Sequence, residues 1–387
     1  MKKVSVIIPC YKAKDEWLER LFFSMENQTI GMEALEIIFV IDASPDDTFS
    51  RLKKYEQAYE NSVMLVQCQE KVGPGGARSI GIQYATGEYI AFVDQDDWVE
   101  PCMYEHLYDK AKTYKCDVVE AYNMRDSLYE YNKGEPQKTG QQDVFWNLES
   151  PAGRKKFFLE DKPERRRYWA KLYCREFLLE NHIDFPANIK YDDNYFKGLV
   201  FYHAKRVYVL EEYLYHWMVN ADSISMTNDF SAHLDRMKIE LLKLEEYRQR
   251  GLFTVYHDEI EYIFLEQFFA NTVNTIFTRS GVLSLEVLDF MKNETKKNFP
   301  EYLCNPYLQV RCPVWVMGDW VENALKGIAQ VRGEEVEVPS AILKKIAPLS
   351  FLDLLKTEIS QDELNWYAAI YVAFDKVAAK IDYSKLK

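Results

Sequence analysis

The chain has 387 residues, 48% hydrophobic and 15% aromatic, which is room for about two domains with real cores and excludes a disordered chain. Its net charge of −13 argues against non-specific nucleic-acid binding, although local sites can still take anionic small molecules. Seven cysteines form no Cys-x-x-Cys pair or zinc-type cluster, which fits buried thiols in a reducing compartment better than a disulfide framework.

Met1-Lys2-Lys3 passes directly into Val4–Pro9, an apolar run too short for a signal peptide and read as a first strand. Nothing approaches the ~18 uncharged apolar residues of a membrane span, so a cytoplasmic protein is expected. Asp15 opens a helix in which Leu18, Leu21, Phe22 and Met25 recur at helical spacing. Glu36–Ile41 is a second strand, followed by the turn-rich loop Asp42-Ala43-Ser44-Pro45-Asp46-Asp47-Thr48 and a helix through Leu52 and Tyr55. Val63–Cys68 is a third strand. The loop Gly73-Pro74-Gly75-Gly76-Ala77-Arg78 then leads into a helix to about Ala85. Gly75 and Gly76 are either a plain turn before that helix or part of a ligand loop. Strands alternating with helices, with polar loops after each strand, predict a doubly wound, mainly parallel α/β sheet.

Residues 88–101 hold the densest chemistry. Glu88 to Val93 is a short β-branched and aromatic run of buried-strand length, and Asp94-Gln95-Asp96-Asp97 follows at its carboxyl edge. Open α/β sheets bind ligands at that edge, and three carboxylates so close repel unless a cation or donors offset them. The plainer alternative is a solvated acidic turn, with Asp97 capping the segment after Pro101. A helix over Met103–Tyr114 and a strand over Asp117–Tyr122 come next, and residues 126–153 read as a long irregular excursion. From about residue 228 only helices are expected. Leu234, Met237, Leu241 and Leu244 form one stripe closed by Gly251, and Ile260, Ile263, Phe264 and Phe268 form the next. Ser360-Gln361-Asp362-Glu363 is a capping box opening a helix to about Ile381.

Tyr11, Asp42, Arg78 and the acids of 94–97 all follow successive strands. An aromatic that stacks a base, a carboxylate that accepts from a ring N–H or ribose, an arginine and a pair of acids for a hard cation are the parts of a nucleoside-diphosphate site. A dinucleotide fingerprint is excluded, because its glycine turn belongs after the first strand, where this chain has Pro9-Cys10-Tyr11. No Gly-Lys-Ser/Thr phosphate loop occurs, and a nucleotidyltransferase would need a glycine-and-arginine loop after strand one.

Val4 to Tyr11, the strand ending in Asp42, the Gly-Ala-Arg segment and Asp94-Gln95-Asp96-Asp97-Trp98 together resemble family 2 glycosyltransferases of the GT-A fold. The likeness continues through Trp169-Ala170-Lys171-Leu172-Tyr173, Asp184-Phe185-Pro186 and Tyr191-Asp192-Asp193-Asn194-Tyr195-Phe196. It implies a catalytic domain over 1–226 and a helical domain over 227–387. It further implies that Pro9, Tyr11 and Asp42 hold the nucleoside and that Arg78, Asp94 and Gln95 flank ribose and diphosphate. Asp96, with Asp94, would ligate Mn²⁺ or Mg²⁺. Trp98, Lys171 and Asp192 would stand on the acceptor side, and Asp193 in the place of the general base. Tyr215-His216-Trp217-Met218 through Ser223-Ile224-Ser225 resembles the family's closing segment, with Met218 where many members carry arginine. The Gln-x-x-Arg-Trp signature of processive members does not occur, so transfer of a single sugar is expected.

The reaction so implied is one displacement at the anomeric carbon of a nucleotide sugar, with a UDP-sugar the expected donor and a carbohydrate or lipid-linked hydroxyl the acceptor. One base and no second nucleophilic carboxylate predicts inversion. Asp193 is either that base or the cap of the helix bearing Tyr195, Phe196, Leu199 and Val200, or both. Arg165-Arg166-Arg167 with Arg154, Lys155 and Lys156 is the chain's basic patch, a solvated face or an attraction for an anionic acceptor or lipid headgroups. Of the six histidines only His216, near the closing segment, reads as either core packing or a functional group. The helical third is expected to bind acceptor, to self-associate or to touch the inner face of the membrane. A non-catalytic sugar-nucleotide binder or scaffold is the rival function.

Overall fold

The structure is a computed structural model that describes residues 2–126, 136–160, 167–218, 231–279 and 283–310, with short pieces between 354 and 368. The chain divides into two units, Met1–Thr227 and Asn228–Lys387.

The first unit opens with β1 (Val4–Cys10), α1 (Asp15–Glu26), β2 (Leu35–Ile41), α2 (Thr48–Ala58), β3 (Val63–Gln67), α3 (Gly73–Tyr84) and β4 (Tyr89–Phe92). β2 is buried along its whole length, as expected for a continuous apolar run covered on both faces. α1 buries Leu18, Leu21, Phe22 and Met25, the stripe its spacing announces. α3 lies close on β1: a Cβ at Gly81 would come within 2.4 Å of Ile7 Cγ2, so only glycine permits that approach. β1 pairs in parallel with both β2 and β4, and β2 with β3. The loops after β1, β2 and β4 therefore leave the same edge of the sheet.

The rest of the unit adds β5 (Trp98–Val99), α4 (Met103–Tyr114), β6 (Val118–Asp126), β7 (Val144–Asn147), α5 (Pro151–Glu160), β8 (Lys171–Cys174), α6 (Arg175–Glu180), α7 (Asp192–His203) and β9 (Arg206–Met218). The strand order is β3-β2-β1-β4-β8-β6-β9-β5, with β7 also on β9. β8 is antiparallel to β4 and β6, and β5 and β7 to β9, so the sheet is mixed. The expected excursion over 126–153, of which 127–135 lie outside the described residues, is corrected in its described part: β6 runs on to Asp126, Val144–Asn147 pairs with β9, and a helix starts at Pro151. A four-residue edge strand is too short to announce itself by periodicity.

An aromatic core ties the acidic strand to α7. Phe196 stacks on Phe185 at 4.0 Å between ring centroids, and Phe92 meets both edge-on, at 5.5 and 5.2 Å. α7 and the loop after β4 thus share one rigid support.

The second unit carries α8 (Ser231–Gln249), α9 (Leu252–Val255), α10 (His257–Phe264), a π-helical turn over Leu265–Ala270, α11 (Asn271–Arg279), α12 (Leu285–Asn298) and α13 (Tyr307–Val310). The α8 stripe is rotated from expectation. Leu234 is 41% exposed, while Met237, Leu244 and Tyr247 are buried together with the ion pair Glu240–Lys243 at 2.6 Å. Gly251 follows α8 at φ 71°, a left-handed stop. The capping box is formed: the Glu363 N–H donates to Ser360 Oγ at 3.3 Å and the Ser360 N–H to Glu363 Oε2 at 3.0 Å. Its helix is described only in part, and the expected end near Ile381 lies outside the described residues. Among the described residues no helix is long and apolar enough to cross a membrane.

Candidate active site

Arg78, on α3, is 5% exposed and gathers three loops. One guanidinium nitrogen donates to Asp192 Oδ2 at 2.9 Å; another donates to Asp94 Oδ1 at 2.8 Å and to the Tyr168 hydroxyl at 2.6 Å. The Tyr168 hydroxyl lies 2.7 and 2.6 Å from the two oxygens of Asp94 and donates to that carboxylate, and its ring lies under the guanidinium at 4.2 Å. Burial opposes the charge on Arg78, but Tyr168, Asp94 and Asp192 outweigh it and push the pKa up. The arginine therefore works as a fixed cation between two acids 98 residues apart in sequence.

Gly75 makes room for this cluster. A Cβ there would stand 2.4 Å from Asp192 Oδ2 and 2.5 Å from the Pro186 carbonyl oxygen. Gly75 is thus a close-approach glycine, and its neighbour is the protein's own acid. Lys12, Ala43, Ala170, Asn188 and Tyr191, in the surrounding loops, all take positive φ. Such residues each cost about 1–3 kcal/mol and persist only where their surroundings hold them.

The acidic loop is anchored from beneath. Asp97 is 1% exposed and accepts from the Tyr215 hydroxyl at 2.5 Å and the Met218 N–H at 2.8 Å. It is therefore a buried anchor, and not the cap of the next helix. Burial drives its pKa well up, reinforced by Asp96 and Asp94. The Tyr215 hydroxyl also accepts from the Asp94 N–H at 3.2 Å. Gln95 clasps the loop after β1, its amide oxygen accepting from the Tyr11 N–H and its nitrogen donating to the Tyr11 carbonyl, both at 3.0 Å. Arg20 donates to the Asp96 carbonyl oxygen.

Asp42 is 3% exposed, and its two oxygens accept from the N–H groups of Val72 at 2.6 Å and Gly73 at 3.0 Å. It therefore pins the start of α3, with one further lone pair on each oxygen for a ligand. Lys71 places its ammonium 3.8 Å from the centroid of the Tyr11 ring. Pro9 lies in β1, just before this loop.

Asp193, in the first turn of α7, pairs with Lys197 one turn on, Oδ2 to Nζ at 2.6 Å. Burial pushes its pKa up, but Lys197, Arg78 and Arg167 outweigh it and hold the carboxyl below the usual range. Asp192 goes the other way: burial raises it to about 6, with Arg78 opposing and Asp193 and Asp94 adding. Two adjacent acids are thus driven apart, the lysine-paired Asp193 ionised and the more deeply buried Asp192 titrating at about 6. No side-chain cap bond is made at this helix start, where Tyr191 holds the cap position at φ 62°.

The structure brings Tyr11 and Gln95 together, and gathers Arg78, Asp94 and Asp192 around one guanidinium. Other expected site residues sit elsewhere. Trp98 is 1% exposed and stacks on His216 at 3.5 Å, with His216 Nε2 2.8 Å from Glu100 Oε1, so it packs the core and does not face an acceptor. Lys171 is paired across strands with Glu120 at 2.5 Å. Asp192, expected toward the acceptor, is buried against Arg78. Of the expected basic patch, Arg154 does not take part: it is 4% exposed and donates to the carbonyls of Leu148 at 3.0 Å and Ala204 at 2.8 Å, while Lys156 and Arg167 are exposed and Arg165 and Arg166 lie outside the described residues. The segment Ser223-Ile224-Ser225 lies outside them too. Sequence reasoning missed Tyr168, Lys71 and Lys197, and gave Tyr215 no role beyond its place in the closing segment. Lys197 alone carried a readable signal, its i+4 spacing from Asp193.

Residues 5–178 match the family described as Glycosyl transferase family 2. Residues 5–178 belong to that family. A curated relative, the poly(ribitol-phosphate) beta-glucosyltransferase of Bacillus spizizenii, is 30% identical over 264 residues, 66% of this chain and 39% of the relative. The chain thus spans about two fifths of that protein. The cholesterol galactosyltransferase of Borreliella burgdorferi is 28% identical over 293 residues, 73% of this chain and 78% of its own. The solved structure of Staphylococcus aureus TarS superposes with a TM-score of 0.57 at 23% identity, covering 77% of this chain and 49% of that one. Its residues 1–349 in complex with UDP-GlcNAc superpose at 0.52 and 17% identity, covering 97% and 92%. The family 2 region therefore has the GT-A fold and is followed by a helical region.

Proposed function

We propose that this chain is an inverting glycosyltransferase that moves one sugar from a UDP-sugar to a hydroxyl of a cell-surface glycopolymer. The observation that carries the reading is Arg78, which joins the acidic loop after β4 to the start of α7 and so sets Asp94 beside the segment bearing Asp193. TarS, crystallised with UDP-GlcNAc, and the Bacillus relative, named for poly(ribitol-phosphate), support the donor and acceptor classes.

In this mechanism Tyr11 and Asp42 border the nucleoside and Asp94 the ribose. Asp193 takes the proton of the attacking hydroxyl, and its depressed pKa keeps it ionised throughout the working range. Lys197 orients that carboxylate. The residues fit a divalent cation of the Mn²⁺ or Mg²⁺ kind, held mainly by Asp96, because Asp94 is committed to Arg78 and Tyr168. A hard ion seated on one or two carboxylates and completed by phosphate oxygens is common for such metals. When bound it would offset charge developing on the departing diphosphate.

The test is a thermal-shift screen of UDP-, GDP- and dTDP-sugars with and without Mn²⁺, followed by transfer assays. Stabilisation by a UDP-sugar only with metal, lost in Asp96→Ala, is expected. Donor binding with no turnover on any of a broad acceptor panel would replace the transferase by a non-catalytic binder.

A further inference from the structure

β6 and β9 run parallel, with Tyr122 opposite Tyr213 and Arg125 opposite Trp217. Over these strands opens a cleft of about 520 Å³, lined by those four side chains together with Arg167 and Gln141. The guanidinium of Arg125 lies 5.1 Å from the Trp217 ring centroid, and that of Arg167 lies 5.9 Å from the same centroid. Both arginines are exposed, and among the described residues neither has an ion-pair partner.

Two like charges converging on one indole repel each other, and in a chain of net charge −13 carboxylates to neutralise them are plentiful. Among the described residues no carboxylate ion-pairs with either, so two planar donor forks line the same cleft, a geometry that takes phosphate. The aromatic walls supply flat surface for the carbon face of a polyol or sugar. Arg167 also links the cleft to the base, since its charge is among those that hold Asp193 down.

Resting on the transferase reading above, the geometry points to this cleft as the acceptor subsite, and to a phosphodiester-bearing polyol or sugar chain as its occupant. The phosphate sits between Arg125 and Arg167 while the carbon chain packs on Trp217, and a neighbouring hydroxyl reaches Asp193. A lipid headgroup offers the same phosphate chemistry; the polymer is favoured because the cleft also has aromatic walls to hold the chain beyond the phosphate.

The experiment compares wild type, Arg125→Gln, Arg125→Lys and the double variant Arg125→Gln/Arg167→Gln. Acceptors are a ribitol-phosphate oligomer and uncharged ribitol, and vesicles of phosphatidylglycerol or phosphatidylcholine report on lipid. Hydrolysis of the UDP-sugar without acceptor monitors the donor site separately. Arg125→Gln is expected to raise KM for the oligomer roughly tenfold with kcat little changed, more so in the double variant, with partial rescue by Arg125→Lys. Donor hydrolysis should stay at the wild-type rate in Arg125→Gln, and added inorganic phosphate should compete with the oligomer in wild type but not in that variant. An unchanged oligomer KM, or an equal rise for uncharged ribitol, would overturn the assignment. So would loss of phosphatidylglycerol binding with oligomer KM intact. If wild type neither binds nor turns over any UDP-sugar, it is the transferase reading that fails.

Discussion

The two ends of the same parallel strands bury carboxylates in opposite ways. At the amino end Glu36, 8% exposed, accepts from the Ser5 hydroxyl at 2.5 Å and from the Thr86 N–H and hydroxyl at 2.7 and 2.8 Å. Every donor there is neutral, and the Ser5 hydroxyl itself accepts from the Gly87 N–H at 2.9 Å. At the carboxyl end Asp94 and Asp192 share one buried arginine, a third acid hangs on Tyr215, and the surrounding loops hold left-handed residues. The first end is a closed network that needs nothing more. The second concentrates charge and strain, which is stable only because Arg78 and the aromatic core hold it, and such sites are where ligands are engaged.

The largest expected difference between the ends is catalytic. Asp193→Asn should lower transfer by about 10³-fold while preserving the donor-induced thermal shift, whereas Glu36→Gln should leave kcat unchanged. Full transfer by Asp193→Asn would remove it as the base. In urea unfolding, Arg78→Ala should cost about 3–5 kcal/mol, because it leaves two acids without their cation. Glu36→Gln should cost about 1–3 kcal/mol, the penalty of one mismatched buried partner. Equal costs would erase the distinction between the two ends.

Gly75→Ala is a finer probe. The added methyl meets the Asp192 carboxylate and the Pro186 carbonyl, and a loss of about 1–3 kcal/mol in thermal unfolding is expected, with weaker donor binding. The smallest effect is a slope. Asp192 has a folded pKa of about 6, above that of an unfolded aspartate, so the folded state holds the extra proton. Its contribution to stability is most unfavourable above pH 6 and eases as the pH falls through 6 toward about 4. The stability difference between wild type and Asp192→Asn should therefore change by up to about 1.4 kcal/mol per pH unit in that window. A difference independent of pH would show that Asp192 does not titrate there.

Much of this was legible beforehand for physical reasons. Continuous apolar runs mark the buried strands, helical spacing marks α1 and α4, and the clustering of Asp94, Asp96 and Asp97 after a strand marks the ligand edge. Motif membership, however, carries no burial. Trp98 and Lys171 belong to site segments, yet one packs under the loop and the other pairs across strands.

The first four strands and the position of the acidic loop followed from the sequence alone, because periodicity and turn chemistry act over a few residues; the antiparallel pairings that complete the sheet did not. Which acid meets which cation did not. Tyr168 reaches Asp94 across 74 positions, and Tyr215 reaches Asp97 across 118. Those partners were selected by the packing of β8, β9 and α7, and with them the division of Asp192 and Asp193 into a buried titrating acid and an ionised one. Local sequence sets which groups are present; only the desolvation and distances created by folding set their charge.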